Sequence, residues 1–153
     1  MKSIKVRTII IALLILLIAM SGYLSYVHDI GATEGICVIP SNGNHAGCSD
    51  VQNSVYGSFL GIKVCHWGLV SFSLLLIIYL IATAKNRYNQ SAHKLFVAGA
   101  FVGALVAVYF LLVQFFILKT LCSSCIVIDV STVLVFLLGY AESHKLRRRW
   151  SSG

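Results

Sequence analysis

The sequence predicts an all-α membrane protein: a four-transmembrane-helix bundle with an outer loop and a short amphipathic lid helix between helices 1 and 2. Three observations predict it. Hydrophobic residues make up 58% of the chain and charged residues 11%, against about 45–50% and about 25% in average soluble domains. Four apolar stretches are each about 20 residues long, enough to cross roughly 30 Å of hydrocarbon at 1.5 Å per residue. The net charge of +7 is clustered rather than spread. Clustered basic charge beside apolar runs is a topology signal, so no nucleic-acid partner is expected. With the apolar runs removed there is no room for a second globular domain, and 1–153 reads as one membrane domain.

The elements follow in order. The first span covers about 8–27, free of charge and preceded by Lys2, Lys5 and Arg7. A cleaved signal peptide is the other reading. Its apolar core is too long for that, and no small-x-small site follows. The second span covers about 60–84, its apolar run being Val64 to Ala84 between Lys63 and Lys85. The third covers about 95–118 and contains Gly99-Ala-Phe-Val-Gly103, a small-xxx-small face that lets helices approach closely. The fourth covers about 121–141. Basic residues gather before span 1, in the connection holding Lys85, Arg87 and Lys94, and after span 4 at Lys145, Arg147, Arg148 and Arg149. The positive-inside rule places these three regions, and both termini, in the cytoplasm.

The outer loop, 28–57, then faces the other side. Gly31, Gly35, Gly43, Gly47 and Pro40 mark its first part as turns. After Cys48, Ser49 or Asp50 can cap a short helix whose Val51, Val55 and Phe59 recur at helical spacing, the expected lid.

All five cysteines fall on or near the outer side, where disulfides persist. Cys122 and Cys125 form a Cys-x-x-Cys pair opening span 4, with Lys119 upstream. A helix start favours the thiolate through its free N–H groups and dipole. A zinc half-site is the rival, but Cys37, Cys48, His28, His45 and His66 supply no common zinc spacing, and no metal is expected. Cys37 and Cys48 read either as one structural loop disulfide or as a relay pair that meets Cys122–Cys125 by thiol–disulfide exchange.

Cys122, Cys125 and Asp129 follow a 3-then-4 spacing, so all three share one helix face. An ionisable group in an apolar helix is a functional candidate, here for proton transfer or quinone binding; reaching interfacial water is the plainer reading. His66, one turn into span 2, and Gln114, near the outer end of span 3, are candidates of the same kind. Trp67 reads equally as interfacial belt, and Cys65 as a small buried residue. Tyr56, Phe59 and Tyr109 are candidate pocket walls.

Assembled, these residues resemble the vitamin K epoxide reductase family. The shared features are a cysteine pair in the first outer loop, a short helix after the second of them, and Cys-x-x-Cys opening the fourth of four helices. Cys48-Ser-Asp-Val-Gln-Asn-Ser54 followed by Tyr56-Gly-Ser-Phe-Leu-Gly-Ile62 looks like the family segment leading into helix 2. The resemblance implies a bundle around a quinone of the menaquinone, ubiquinone or phylloquinone type. It implies Cys125 facing the ring, Cys122 as its resolving partner, Cys48 exchanging with Cys122, and Cys37 taking electrons from outside. Ser54 would match the family's serine near the loop pair. This chain departs from the vertebrate enzymes at Val64, near the position of a quinone-bonding asparagine, and at Asp129, where they carry tyrosine. It resembles the stand-alone form, without the thioredoxin-like domain fused to many bacterial homologues.

The expected function is a membrane thiol–quinone oxidoreductase. It relays electrons from a thioredoxin-like dithiol protein to a quinone, or to vitamin K epoxide, and so supports disulfide formation. The expected location is a prokaryotic cell membrane, or the endoplasmic reticulum membrane in a eukaryote, with membrane lipid around the spans. The rival is a four-span scaffold or adaptor with a static loop disulfide. Another class of bacterial disulfide-forming quinone enzymes carries its cysteines in the reverse order, Cys-x-x-Cys in the first outer loop.

Overall fold

The computed structural model describes residues 2–29, 58–59, 61–83, 90–118 and 123–151. Four long helices make up nearly all of them. They are α1 (Lys2–Asp29), α2 (Val64–Thr83), α3 (Gln90–Leu112) and α4 (Ser123–Ser151). α3 continues as a π-helical segment over Val113–Leu118. A two-stranded antiparallel ribbon, β1 (Ser58–Phe59) and β2 (Ile62–Lys63), leads directly into α2. All four helices are long and apolar enough to cross a membrane. Their lipid-facing residues include Ile15, Leu74, Ile77, Leu105 and Val130, each close to half exposed or more. That surface would be untenable in water and is ordinary against hydrocarbon.

The helices form a ring in which α1 packs on α2, α2 on α3, α3 on α4, and α4 back on α1. α2 and α4 therefore lie across the diagonal. Within α3 the buried positions are His93, Phe96, Ala100, Ala104 and Ala107, the 3–4 spacing of one helix face. Three of the five are alanines, so the neighbours come close. Glycines bring them closer still. A Cβ on Gly99 would lie 2.9 Å from Leu75 Cδ2 on α2, and one on Gly139 would lie 2.8 Å from the Phe96 ring. The expected small-xxx-small face is thus divided: Gly99 meets α2, while Gly103 meets Thr132 on α4. Hydroxyls within the spans donate one turn back along their own helix. Ser73 Oγ reaches Leu69 O at 2.7 Å and Thr132 Oγ1 reaches Ile128 O at 2.8 Å, which satisfies them without water.

A polar clasp closes the end of the bundle where α1 begins. Arg7 Nε donates to Glu142 Oε1 at 3.0 Å, and Tyr79 OH donates to Glu142 Oε2 at 2.9 Å. Arg7, Tyr79 and Glu142 come from α1, α2 and α4. His93 of α3 is buried at the same end beside Phe96, whose ring centroid is 4.7 Å from that of Tyr79. All four helices thus contribute to one cluster around a carboxylate that is nearly inaccessible.

Two sequence expectations need correction. Span 2 does not begin near 60; its helix starts at Val64, because the preceding residues pair as the ribbon. For the same reason Phe59 is not the last residue of a lid helix but lies in β1. Gly61 sits between the strands with φ 78°, a conformation that glycine adopts without penalty and that reverses the chain. The rest of the expected lid helix lies outside the described residues. The remaining helices outrun their apolar stretches. α4 continues a further turn and more past Ala141, which carries Glu142 into the clasp.

Breaking the clasp should cost stability unevenly. Arg7→Met strands a buried carboxylate and should cost about 3 kcal/mol. Tyr79→Phe removes one hydrogen bond and should cost about 1 kcal/mol. Thermal unfolding in detergent, with the order of midpoints wild type, Tyr79→Phe, Arg7→Met, checks both. Gly139→Ala should cost about 1–3 kcal/mol by forcing Phe96 off its packing position.

Candidate functional site

At the opposite end from the clasp the bundle opens into a cavity of about 690 Å³. Its size follows from the helix ring. The alanines and glycines of α3 leave the diagonal between α2 and α4 unfilled, and the walls are mostly Leu, Val, Ile and Phe. On α2 the lining extends from Val64 to Ile78, and on α3 from Leu95 to Phe110. At 1.5 Å per residue that is a slot about 20 Å long between two neighbouring helices. Leu74, Leu95 and Val102 line it and are also more than half exposed on the lipid side. The slot therefore opens sideways toward hydrocarbon.

Polar groups enter this apolar space at few points. Cys125 and Asp129 come from the first turns of α4, Gln114 from the π-helical segment, Cys65 from the first turn of α2, and Lys63 from β2. Gln114 is 2% exposed and Asp129 8%. Both are thus withdrawn from bulk water and directed to the cavity. The π-helical turn holds Gln114 there. Buried Val113 and Gln114 both lie in this segment. Such turns recur at functional sites. Ser21 and Thr132 are buried hydroxyls further along the lining.

The structure thus brings Cys125, Asp129, Gln114 and Val64 together around one cavity. It does not bring His66 to it. That imidazole sits at the rim, with Nε2 3.7 Å from Asp29 Oδ2 on α1 and Nδ1 3.6 Å from Cys65 Sγ. His66 is the neighbour of a lining residue rather than a lining residue. Tyr109 is 52% exposed and faces away. Cys37, Cys48, Ser54, Tyr56 and Cys122 lie outside the described residues, as does the Phe59 side chain.

Several lining residues carry no functional role in the sequence reading. Cys65 reads there as a small buried residue, yet it lines the cavity. Trp67, which the sequence leaves open between a pocket wall and the interfacial belt, lines it too. Lys63 looked like a flank of span 2. The available signal was positional: each is within one turn of a helix start on the side that carries Cys125.

Four membrane-length helices around a lipid-open apolar cavity, with a cysteine and a carboxylate on its wall, define a multi-pass membrane protein. The chain matches the model of the vitamin K epoxide reductase family over residues 8–140. It belongs to that family. Membership supports a membrane thiol–quinone oxidoreductase in general, and the helical architecture agrees with the family's four-helix bundle. No individual curated protein matches the chain.

A direct test of the cavity uses Trp67 on its wall. A short-chain naphthoquinone added to the purified protein should quench Trp67 fluorescence saturably. Gly103→Phe, which projects a ring from the α3 wall, should weaken the apparent affinity about tenfold, equivalent to 1.4 kcal/mol.

Proposed function

We propose that this protein is a thiol–quinone oxidoreductase that passes electrons from an external dithiol to a membrane quinone. The observation that carries the reading is the placement of Cys125. It lies on the wall of an apolar, laterally open cavity that also receives the buried carboxyl of Asp129 and the buried amide of Gln114. A cavity of about 690 Å³ falls within the range of small-molecule and cofactor sites, roughly 300–1,000 Å³. Its slot between α2 and α3 suits a prenyl tail, and its polar end suits a quinone ring. The residues at hand fit the group: two oxygens on a flat apolar ring ask for few donors in an otherwise hydrocarbon-like pocket.

In this scheme a thioredoxin-like dithiol protein reduces the Cys37–Cys48 pair. Cys48 then exchanges with Cys122, leaving the Cys122–Cys125 dithiol. Oxidation of that dithiol to a disulfide releases two electrons and two protons, which together convert a quinone into a quinol. Cys125, on the cavity wall, is the sulfur that meets the ring, and Cys122 resolves it. Asp129 holds or delivers a proton at one quinone oxygen, in the place where relatives carry a tyrosine. Gln114 donates from its amide to hold the ring's orientation. The net result is oxidation of partner dithiols on the outer face, hence disulfide formation there. Both termini and the basic clusters lie in the cytoplasm.

The reading stands on dithiol-dependent quinone reduction in reconstituted membranes. Cys122→Ala and Cys125→Ala should each lower it at least a hundredfold; full activity in either would overturn the scheme. Asp129→Asn should lower kcat about tenfold to a hundredfold, the lower part of the range for general acid–base groups. The Cys125→Ser variant should accumulate a Cys48–Cys122 mixed disulfide, detectable by mass spectrometry. A static scaffold would show an unchanging Cys37–Cys48 bridge instead.

A further inference from the structure

On the proposed topology, basic residues are almost absent from the outer side. Of the 12 Lys and Arg residues in the chain, the outer loop 28–57 contains none. Two remain outside the cytoplasmic clusters, Lys63 and Lys119. Both flank the redox cysteines. Lys119 precedes Cys122 by three residues. Lys63 ends β2, immediately before α2, and lines the same cavity as Cys125. α2 and α4 both begin at this end, and they face each other across the diagonal of the bundle. Lys63, one residue before α2, and Cys125, in the first turn of α4, therefore occupy the same level of the cavity on opposed helices. Lys63 is half-buried, and among the described residues Lys63 and Asp129 are the two with charged side chains in the cavity lining.

We propose that Lys63 is a positioning residue of the redox centre: its ammonium holds the Cys125 sulfur as the thiolate that reacts with the cavity's ligand. This deepens the thiol–quinone reading and rests on it. The chemistry requires the thiolate, because the thiol is a poor nucleophile. The Cys125 proton leaves to water at the outer face. As the S–S bond with Cys122 forms, the electron pair passes to the quinone. Two protons, one for each lost by the dithiol, are taken up by the two quinone oxygens. The helix start at Cys125 and Lys119, three residues before Cys122, also favour the thiolate; the remaining groups act against Lys63 or not at all. Asp129 on α4 and Asp29 at the end of α1 disfavour a second negative charge nearby. Gln114 is neutral, as is the Cys65 thiol, while His66 on α2 is engaged with Asp29. A fixed cation at the cavity mouth offsets the two carboxylates.

The test reads the thiolate directly. In a Cys122→Ser background, the full chain in nanodiscs is reduced and treated with iodoacetamide across pH 5–10. Alkylation is followed at the Cys125 peptide by mass spectrometry. Lys63→Met and Lys63→Gln should move the midpoint of the alkylation rate up by about one pH unit or more, as expected for loss of an opposite charge at close range. Lys63→Arg should restore it, and Lys94→Met, on the exposed far part of α3, should leave it unmoved. An unchanged midpoint in Lys63→Met and Lys63→Gln overturns the proposal, as does an equal shift in Lys94→Met, which would make the effect one of bulk surface charge. Quinone reduction by the otherwise wild-type chain is measured alongside. Its absence would sink the oxidoreductase reading, while the alkylation midpoint still decides the role of Lys63.

Discussion

The carboxylate of Glu142 is the point on which the helix arrangement turns. In hydrocarbon, apolar side chains gain little by choosing one another over lipid, so helix order must come from packing and polar contacts. Glu142 accepts from Arg7 on one oxygen and from Tyr79 on the other. It thereby ties the last helix to the first and the second, while the Phe96 ring brings α3 against Tyr79. A carboxylate stranded at this depth would be costly, and its two partners remove most alternatives to the observed ring. The long separation of Arg7 and Glu142 in sequence makes this a closure rather than a local contact.

Closure at one end permits opening at the other. Where the clasp sits, Tyr79, Phe96, Ile10 and Leu14 fill the interior completely. Toward the start of α2 and α4 the inward residues become smaller and the diagonal stays open. The cavity is thus a product of helix geometry and side-chain size, not of any one loop. Its polar groups sit on first turns and on a π-helical segment, where a helix can present an unusual residue without losing a packed turn. The rigid polar knot and the open apolar slot are thus separated along the bundle, so the slot can stay open without loosening the packed end.

Much of this was legible in the chain. Apolar runs of sufficient length and clustered basic charge gave four spans. The run from Cys122 to Asp129 put a Cys-x-x-Cys pair and a carboxylate on one stretch of sequence, and the cavity does receive Cys125 and Asp129. Gln114 was visible as a polar residue in an apolar run, but its value depended on the π-helical turn, for which the sequence offers no sure sign. Phe59 fits a helical stripe by spacing, yet Gly61 turns the chain there and the segment pairs as a ribbon. Glu142 lies just past the apolar end of span 4, where the sequence singles out no role for it. Nothing local could reveal that α4 continues and meets Arg7.

By itself the sequence determined that the chain has four membrane-length spans and which residues are candidates for chemistry, because hydropathy and thiol spacing act locally and need no partners. The tertiary structure decided which of those residues share a space. Asp129 and Gln114 come from different helices, and Lys63 and Cys125 from opposite sides of the bundle. That they line one cavity follows from the ring order that the Glu142 clasp and the small residues of α3 impose. Long-range packing in lipid is set by close contacts between distant segments, and no window of sequence contains both halves of such a contact.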